Sequence, residues 1–219
     1  MRHWHQGGPG KGAICLVLIL ALRAGGQTTN LYENNFEAAE IGKAPAEFLV
    51  LDGGFVVKEE KGNKFLELPG APLDSFAVQF GPAEAENIAV SARIKGSAKG
   101  RRYPTFGIGL NGAAGYRLQV SPGKKELEIY KDQEAKASAR YQWSSGKWTR
   151  LRLQVRKTGE ADWKIEGTAW DEGNPEPEHS MLSVEAKEAP ATGKASLFGS
   201  PFAGTPIQFD DVVVSRVNK

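Results

Sequence analysis

From Leu31 onward apolar and polar side chains alternate with a period of two, in runs that recur about every ten residues, and no helical apolar stripe of useful length interrupts them. The pattern predicts fifteen strands: Leu31–Phe36, Glu47–Leu51, Phe55–Glu59, Lys64–Leu68, Ser75–Phe80, Ile88–Ile94, Thr105–Leu110, Tyr116–Val120, Glu126–Lys131, Ala137–Trp143, Trp148–Arg156, Trp163–Trp170, Leu182–Lys187, Lys194–Phe198 and Ile207–Val214. Between them stand Asp52-Gly53-Gly54, Gly62-Asn63, Asn111-Gly112, Pro122-Gly123, Ser145-Gly146 and Thr158-Gly159, all residues that tolerate the positive φ of tight turns. Lys131-Asp132-Gln133-Glu134 also reads as a hairpin turn. Short antiparallel strands in this number, with no internal boundary, imply an all-β fold: a two-sheet antiparallel jelly-roll sandwich.

Alternation also assigns faces, because successive side chains on a strand point to opposite sides. Leu151, Leu153 and Val155 oppose Arg150, Arg152, Gln154 and Arg156; Leu118 and Val120 oppose Arg117 and Gln119; Leu127 and Ile129 oppose Glu128 and Tyr130. Val90, Ala92 and Ile94 oppose Ser91 and Arg93, and Phe106, Ile108 and Leu110 oppose Gly107, Gly109 and Asn111. Trp163 shares parity with Ile165 and Ala169 and is expected between the sheets. Trp170, of opposite parity beside Glu166, is expected partly exposed at a rim.

The first 26 residues differ from the rest. They carry Arg2, Lys11 and Arg23, no acid, the one cysteine of the chain (Cys15) and an apolar run from Ala13 to Leu22. This reads as a secretory signal peptide, with cleavage before Gln27 and a single domain over 27–219. The run is shorter than the roughly 20 apolar residues of a spanning helix, so the expectation is a secreted or periplasmic protein. Cys15 follows Ile14 rather than a small residue, unlike a lipidation site. Residues 27–219 hold 25 basic and 26 acidic side chains, with no basic excess to neutralise a phosphate backbone, so nucleic acid is not an expected partner. That segment lacks cysteine and the whole chain lacks an N-x-S/T sequon, features that agree with a bacterial exported protein stabilised by its core alone.

The polar sides of the strands mix planar groups with paired hydrogen-bonding groups, a combination suited to sugars: aromatic rings cover the C–H face of a pyranose while Arg, Gln and Glu meet its hydroxyls. The predicted ligand-binding residues are Arg117, Gln119, Tyr130, Arg152, Gln154, Glu166 and Trp170, taken to lie on the open face of one sheet. With His179 the one histidine of residues 27–219, a Ser-His-Asp or Cys-His nucleophile has little to draw on, and a zinc site of nitrogen and sulfur ligands is excluded.

The opening NLYENNFE, the central GKWTRLRLQVRKTG with WKIEGTAWDEG, and the ending GKASLFGSPFAGTPIQFDDVVVSRV resemble the concanavalin A-like lectin/glucanase superfamily, and within it laminin-G-like (LamG-like) and 3-keto-disaccharide-hydrolase-type jelly-roll domains of exported bacterial proteins. The resemblance implies the sandwich fold and, because function resides in sites rather than folds, leaves activity open. Glucanases of the superfamily use an E-x-D-x-x-E strand to set carboxylates about 5 Å apart. That pattern is missing; Glu128, Asp132 and Glu134 come nearest to it, and Glu172, Glu176 and Glu178 fall in a proline-rich loop. Termini that pair as they do in this superfamily would bring Asp210 and Asp211 to Glu33, Asn35 or Glu37, and Glu37, Asp210 and Asp211 form the candidate structural calcium site, since calcium takes oxygen ligands. The sequence therefore predicts a non-catalytic carbohydrate-binding (lectin-like) domain with no required cofactor and a carbohydrate or polysaccharide partner. A glycosidase or lyase acting on 3-keto-disaccharides and a cell-envelope protein-interaction module are the alternatives.

Overall fold

A computed structural model describes residues 29–70, 74–201 and 204–218, together with Met1 and His3. The predicted leader, Cys15 included, lies almost wholly outside the described residues. Among the described residues no helix is long and apolar enough to cross a membrane. Fifteen strands form two antiparallel sheets: β1 (Asn30–Asn34), β2 (Leu49–Asp52), β3 (Val56–Glu60), β4 (Asn63–Leu68), β5 (Phe76–Glu84), β6 (Ile88–Lys95), β7 (Thr105–Leu110), β8 (Tyr116–Ser121), β9 (Glu126–Lys131), β10 (Glu134–Arg140), β11 (Trp148–Lys157), β12 (Trp163–Asp171), β13 (Leu182–Ala186), β14 (Gly193–Ser200) and β15 (Ile207–Arg216).

One sheet has eight strands in the order β13-β12-β11-β6-β15-β4-β3, with β1 also on β15; the other has seven in the order β10-β9-β8-β7-β14-β5-β2. Two sequential meanders, β7 to β10 and β11 to β13, thus belong to different sheets. The chain passes between them through residues 141–147, where Tyr141 and Trp143 are buried and the Trp143 ring meets Phe106 edge-on. Alternation alone puts these two aromatics in a strand. They bridge the layers instead, and the tenth strand begins three residues earlier than predicted.

The inward sets expected from alternation form the core. Leu118, Val120, Leu127, Ile129, Phe106 and Ile108 from one sheet face Leu151, Leu153, Val155, Val90, Ile94 and Ile165 from the other, all almost completely removed from water. Trp163 is buried in the same cluster, 6% exposed, and its indole N–H donates to Glu86 Oε2 at 2.7 Å, so the polar edge of the ring is satisfied at the margin of the core.

Turn geometry follows the residues that permit it. Asp132 and Gln133 both take positive φ (51° and 69°), the backbone a two-residue hairpin needs to match the twist of β9 and β10. Asn111 also has positive φ (67°), but it is buried rather than on an open face: its amide donates to the carbonyls of Glu84 and Ala85 and ties two loops together. In β15 the pairing shifts at Asp210 and Asp211, with Asp211 at φ 48°. Before this irregularity the strand pairs β4 through Ile207–Phe209, and after it the strand pairs β1 through Val212–Ser215. One strand edge thereby serves two partners, and both aspartates sit at the junction.

Candidate functional site

The seven predicted ligand residues do not share a face. Arg152, Gln154, Glu166 and Trp170 are on the outer side of the eight-stranded sheet, and Arg117, Gln119 and Tyr130 are on the outer side of the seven-stranded one. Parity tells which side of its own strand a residue occupies. It does not tell which sheet the strand joins.

On the eight-stranded face, cross-strand register sets Arg150 opposite Trp170, Arg152 opposite Thr168, Gln154 opposite Glu166 and Arg156 opposite Lys164. Arg152, Gln154, Glu166 and Thr168 line a polar cleft of about 210 Å³, roofed by Glu176, Pro177, Glu178 and Ser180. Its charges are balanced internally. Glu166 Oε2 accepts from Arg156 Nη2 at 2.8 Å, Arg156 Nε at 3.0 Å and Gln154 Nε2 at 2.8 Å, and Lys164 Nζ lies 3.2 Å from Oε1. Burial opposes ionisation of this carboxyl, but the donors, led by Arg156, outweigh it and hold Glu166 below the usual glutamate range. Arg152 Nε pairs with Glu176 at 3.5 Å. Trp170 is partly exposed, as expected.

Alongside lies a larger charged network. Arg93 Nη2 donates to Asp210 Oδ2 at 2.6 Å and to Asn63 Oδ1 at 2.8 Å, and Nη1 donates to Glu172 at 2.9 Å; the Trp148 ring packs on the same guanidinium, its centroid 4.7 Å from Cζ. Arg150 Nη2 donates to Asp211 at 3.0 Å. Of the three residues expected to hold calcium, Asp210 and Asp211 are thus engaged by arginines, while Glu37 Oε1 accepts the backbone N–H of Lys64 at 3.0 Å. Among the described residues no group of three potential metal ligands gathers anywhere.

The seven-stranded face is built differently. Arg117 pairs across the ladder with Tyr130 on one side and Gly109 on the other, and its Cζ lies 4.8 Å from the ring centroids of both Tyr130 and Phe198. Phe198 lies down on β7 because residue 107 is glycine: a Cβ there would fall 2.5 Å from Phe198 Cζ and 2.0 Å from the Leu118 carbonyl oxygen. Phe198 is absent from the ligand residues that the sequence predicts. Its signal is the pair Leu197-Phe198, which inside a strand must send one of two large apolar groups outward.

Beside this stack Glu128 is buried on the outer face. It accepts from Ser121 Oγ, from Lys124 Nζ at 2.8 Å and from Tyr130 Oη at 2.9 Å, while Gln119 Nε2 donates to Ser121 Oγ at 2.9 Å. Burial works against the Glu128 charge, and Lys124 with the two hydroxyls overcomes it, leaving the carboxyl below its ordinary value. Arg117 has no such compensation. It makes no ion pair among the described residues, its Nε is buried without a hydrogen-bond partner, and desolvation holds it below the ordinary guanidinium value against the pull of Tyr130 and Glu128. A depression of about 390 Å³ opens next to it, lined by Ala113, Ala114, Gly115, Tyr130, Asp132 and Gln133 as well as Arg117 itself. Of the carboxylates weighed for catalysis, Glu128 is bonded as above, Asp132 is in the hairpin turn and Glu134 is exposed with Lys136 at 2.6 Å.

No protein-family model matches the chain, and no curated protein does. Solved structures do share its architecture. A protein of unknown function with a galectin-like fold from Bacillus subtilis superposes with a TM-score of 0.60 at 11% identity, over 87% of this chain and 98% of that one. The metal-free carbohydrate recognition domain of Emp46p gives 0.58 at 11%, over 87% and 97%. The carbohydrate-binding module CBM66 from Bacillus subtilis gives 0.51 at 11%, over 77% and 95%. At such identities the likeness is one of fold, and the chain has the two-sheet jelly-roll architecture that these lectin-like structures share.

Proposed function

We propose that the protein binds carbohydrate without transforming it, through the outer face of the seven-stranded sheet. The observation that carries this reading is the row of planar groups Tyr130, Arg117 and Phe198, held rigid by stacking and bordered by Gln119, Ser121 and Glu128. Side chains already stacked before binding lose little entropy when a sugar arrives, and the partly exposed Tyr130 ring with the neighbouring donors matches the two kinds of surface a pyranose presents, while the buried Phe198 supports Arg117. The fold likeness to a carbohydrate-binding module and a carbohydrate recognition domain supports the same reading. Glu128, the buried carboxylate of this face, is held ionised by three donors and is poorly suited to act as a proton donor, which favours binding over glycoside cleavage. The leader-like residues 1–26 add export to the proposal.

Electrophoresis through gels containing soluble polysaccharides tests it. At least one neutral or acidic polysaccharide should retard the protein, and Tyr130→Ala should weaken that interaction by about 1–2 kcal/mol, the size of a lost aromatic contact. Uniform mobility in every gel, or retardation unchanged by Tyr130→Ala, would remove this face as the site.

A further inference from the structure

We infer that Arg117 recognises an anionic oxygen group, a carboxylate or a sulfate, carried by the sugar that the seven-stranded face binds; the inference rests on the carbohydrate reading above. Arg117 is clamped between two rings, deprived of water at Nε, and faces no carboxylate within pairing distance among the described residues. A desolvated guanidinium without an anion costs free energy that an oxyanion returns through charge-assisted N–H···O bonds. The nearest carboxylates are engaged by other groups. Glu128 is bonded to Lys124, Ser121 and Tyr130, and Asp132, on the rim of the adjoining depression, has Lys131 Nζ at 3.4 Å. Lys131 Nζ is itself anchored at that rim by the Ala114 carbonyl at 2.6 Å, so the counter-ion of Asp132 is held in place beside the approach to Arg117. Gln133 and residues 113–115 line the remainder, where polar groups can meet neutral hydroxyls of the same sugar. Neutral hydroxyls alone would accept from the guanidinium but bring no counter-charge to it.

The test first compares matched ligands on the parent protein. Binding of the whole protein is measured by calorimetry against polygalacturonate and its methyl ester, and against dextran sulfate and dextran. One charged member should bind at least tenfold more tightly than its neutral partner at low salt, and the advantage should shrink as salt rises. Preference for polygalacturonate alone identifies a carboxylate, and preference for dextran sulfate alone a sulfate. Arg117→Met should abolish the preference, and Arg117→Lys, which keeps charge without the planar fork, should retain only part of it. Equal affinity for charged and neutral partners overturns the anionic inference and leaves the carbohydrate reading standing. A charge preference that persists in a folded Arg117→Met overturns the assignment to Arg117. No binding to any of the four polymers, nor to a wider glycan array, overturns both.

Discussion

On the outer face of the eight-stranded sheet Arg93, Arg150, Arg152 and Arg156 meet carboxylates at 2.6, 3.0, 3.5 and 2.8 Å, whereas on the seven-stranded face Arg117 meets two aromatic rings and no acid among the described residues. Both faces look alike in sequence, as polar side chains alternating with apolar ones. The difference separates charge that the fold uses from charge that the fold leaves available. A guanidinium surrounded by Asp210, Asp211 and Glu172 has its electrostatic demand met inside the molecule. One that is stacked and unpaired is an incomplete interaction, and a ligand is the simplest way to complete it.

Four experiments probe the contrast, from the largest expected effect downward. The scale is set by the core beneath both faces: Trp163→Ala should cost about 3–5 kcal/mol in urea denaturation through lost burial and a residual cavity, whereas Trp170→Ala, on the rim, should cost at most about 1 kcal/mol. Equal losses would mean that Trp170 is as integral to the fold as Trp163. Next, Asp210→Ala should cost about 2–4 kcal/mol, since it strips Arg93 and Asn63 of a buried acceptor. A loss below about 0.5 kcal/mol would mean that the network behaves like ordinary surface charge.

Acidification should weaken the Glu166 and Glu128 networks, one on each face. Glu166 and Glu128 have carboxyl pKa values lowered by folding. Their stabilising contribution is therefore complete above the unfolded glutamate value, about 4.3, and is lost as pH falls below it through the folded values. Denaturation midpoints followed from about pH 6 downward should fall in this window. Glu166→Gln and Glu128→Gln should each flatten the fall, and an unchanged slope in both would contradict the carboxylate assignment. The smallest effect on stability belongs to Arg117→Met, expected within about 1 kcal/mol of the parent because no ion pair is lost, against about 1–2 kcal/mol for Arg156→Met, which leaves Glu166 short of its strongest donor. Reversal of that order would show that Arg117 serves the fold rather than a ligand.

Much of the fold is legible in the sequence alone. Each of the fifteen predicted strands has a counterpart, and Leu118, Leu151, Ile165 and their neighbours fill the core as alternation requires. Trp163 and Trp170 divide as their parity demands. The partition of strands between sheets is not legible, so the single binding face expected from parity is in fact two. The role of Phe198 is also hidden, because its burial depends on Gly107 from a strand about ninety residues earlier. The arginine partners of the β15 aspartates are not legible either, since Arg93 and Arg150 come from distant strands and meet them in space.

The sequence by itself determined the class of fold, the inward set of side chains and the tight turns, because strand periodicity and positive-φ geometry are properties of the backbone over a few residues and are written locally. Tertiary structure decided which strands share a sheet, which charges find a counter-ion and which do not. Those outcomes depend on closing long loops around a common core. Tyr130 is thirteen residues from Arg117 and Phe198 is eighty-one, and they reach the two sides of its guanidinium only because β9, β8, β7 and β14 lie side by side in one sheet.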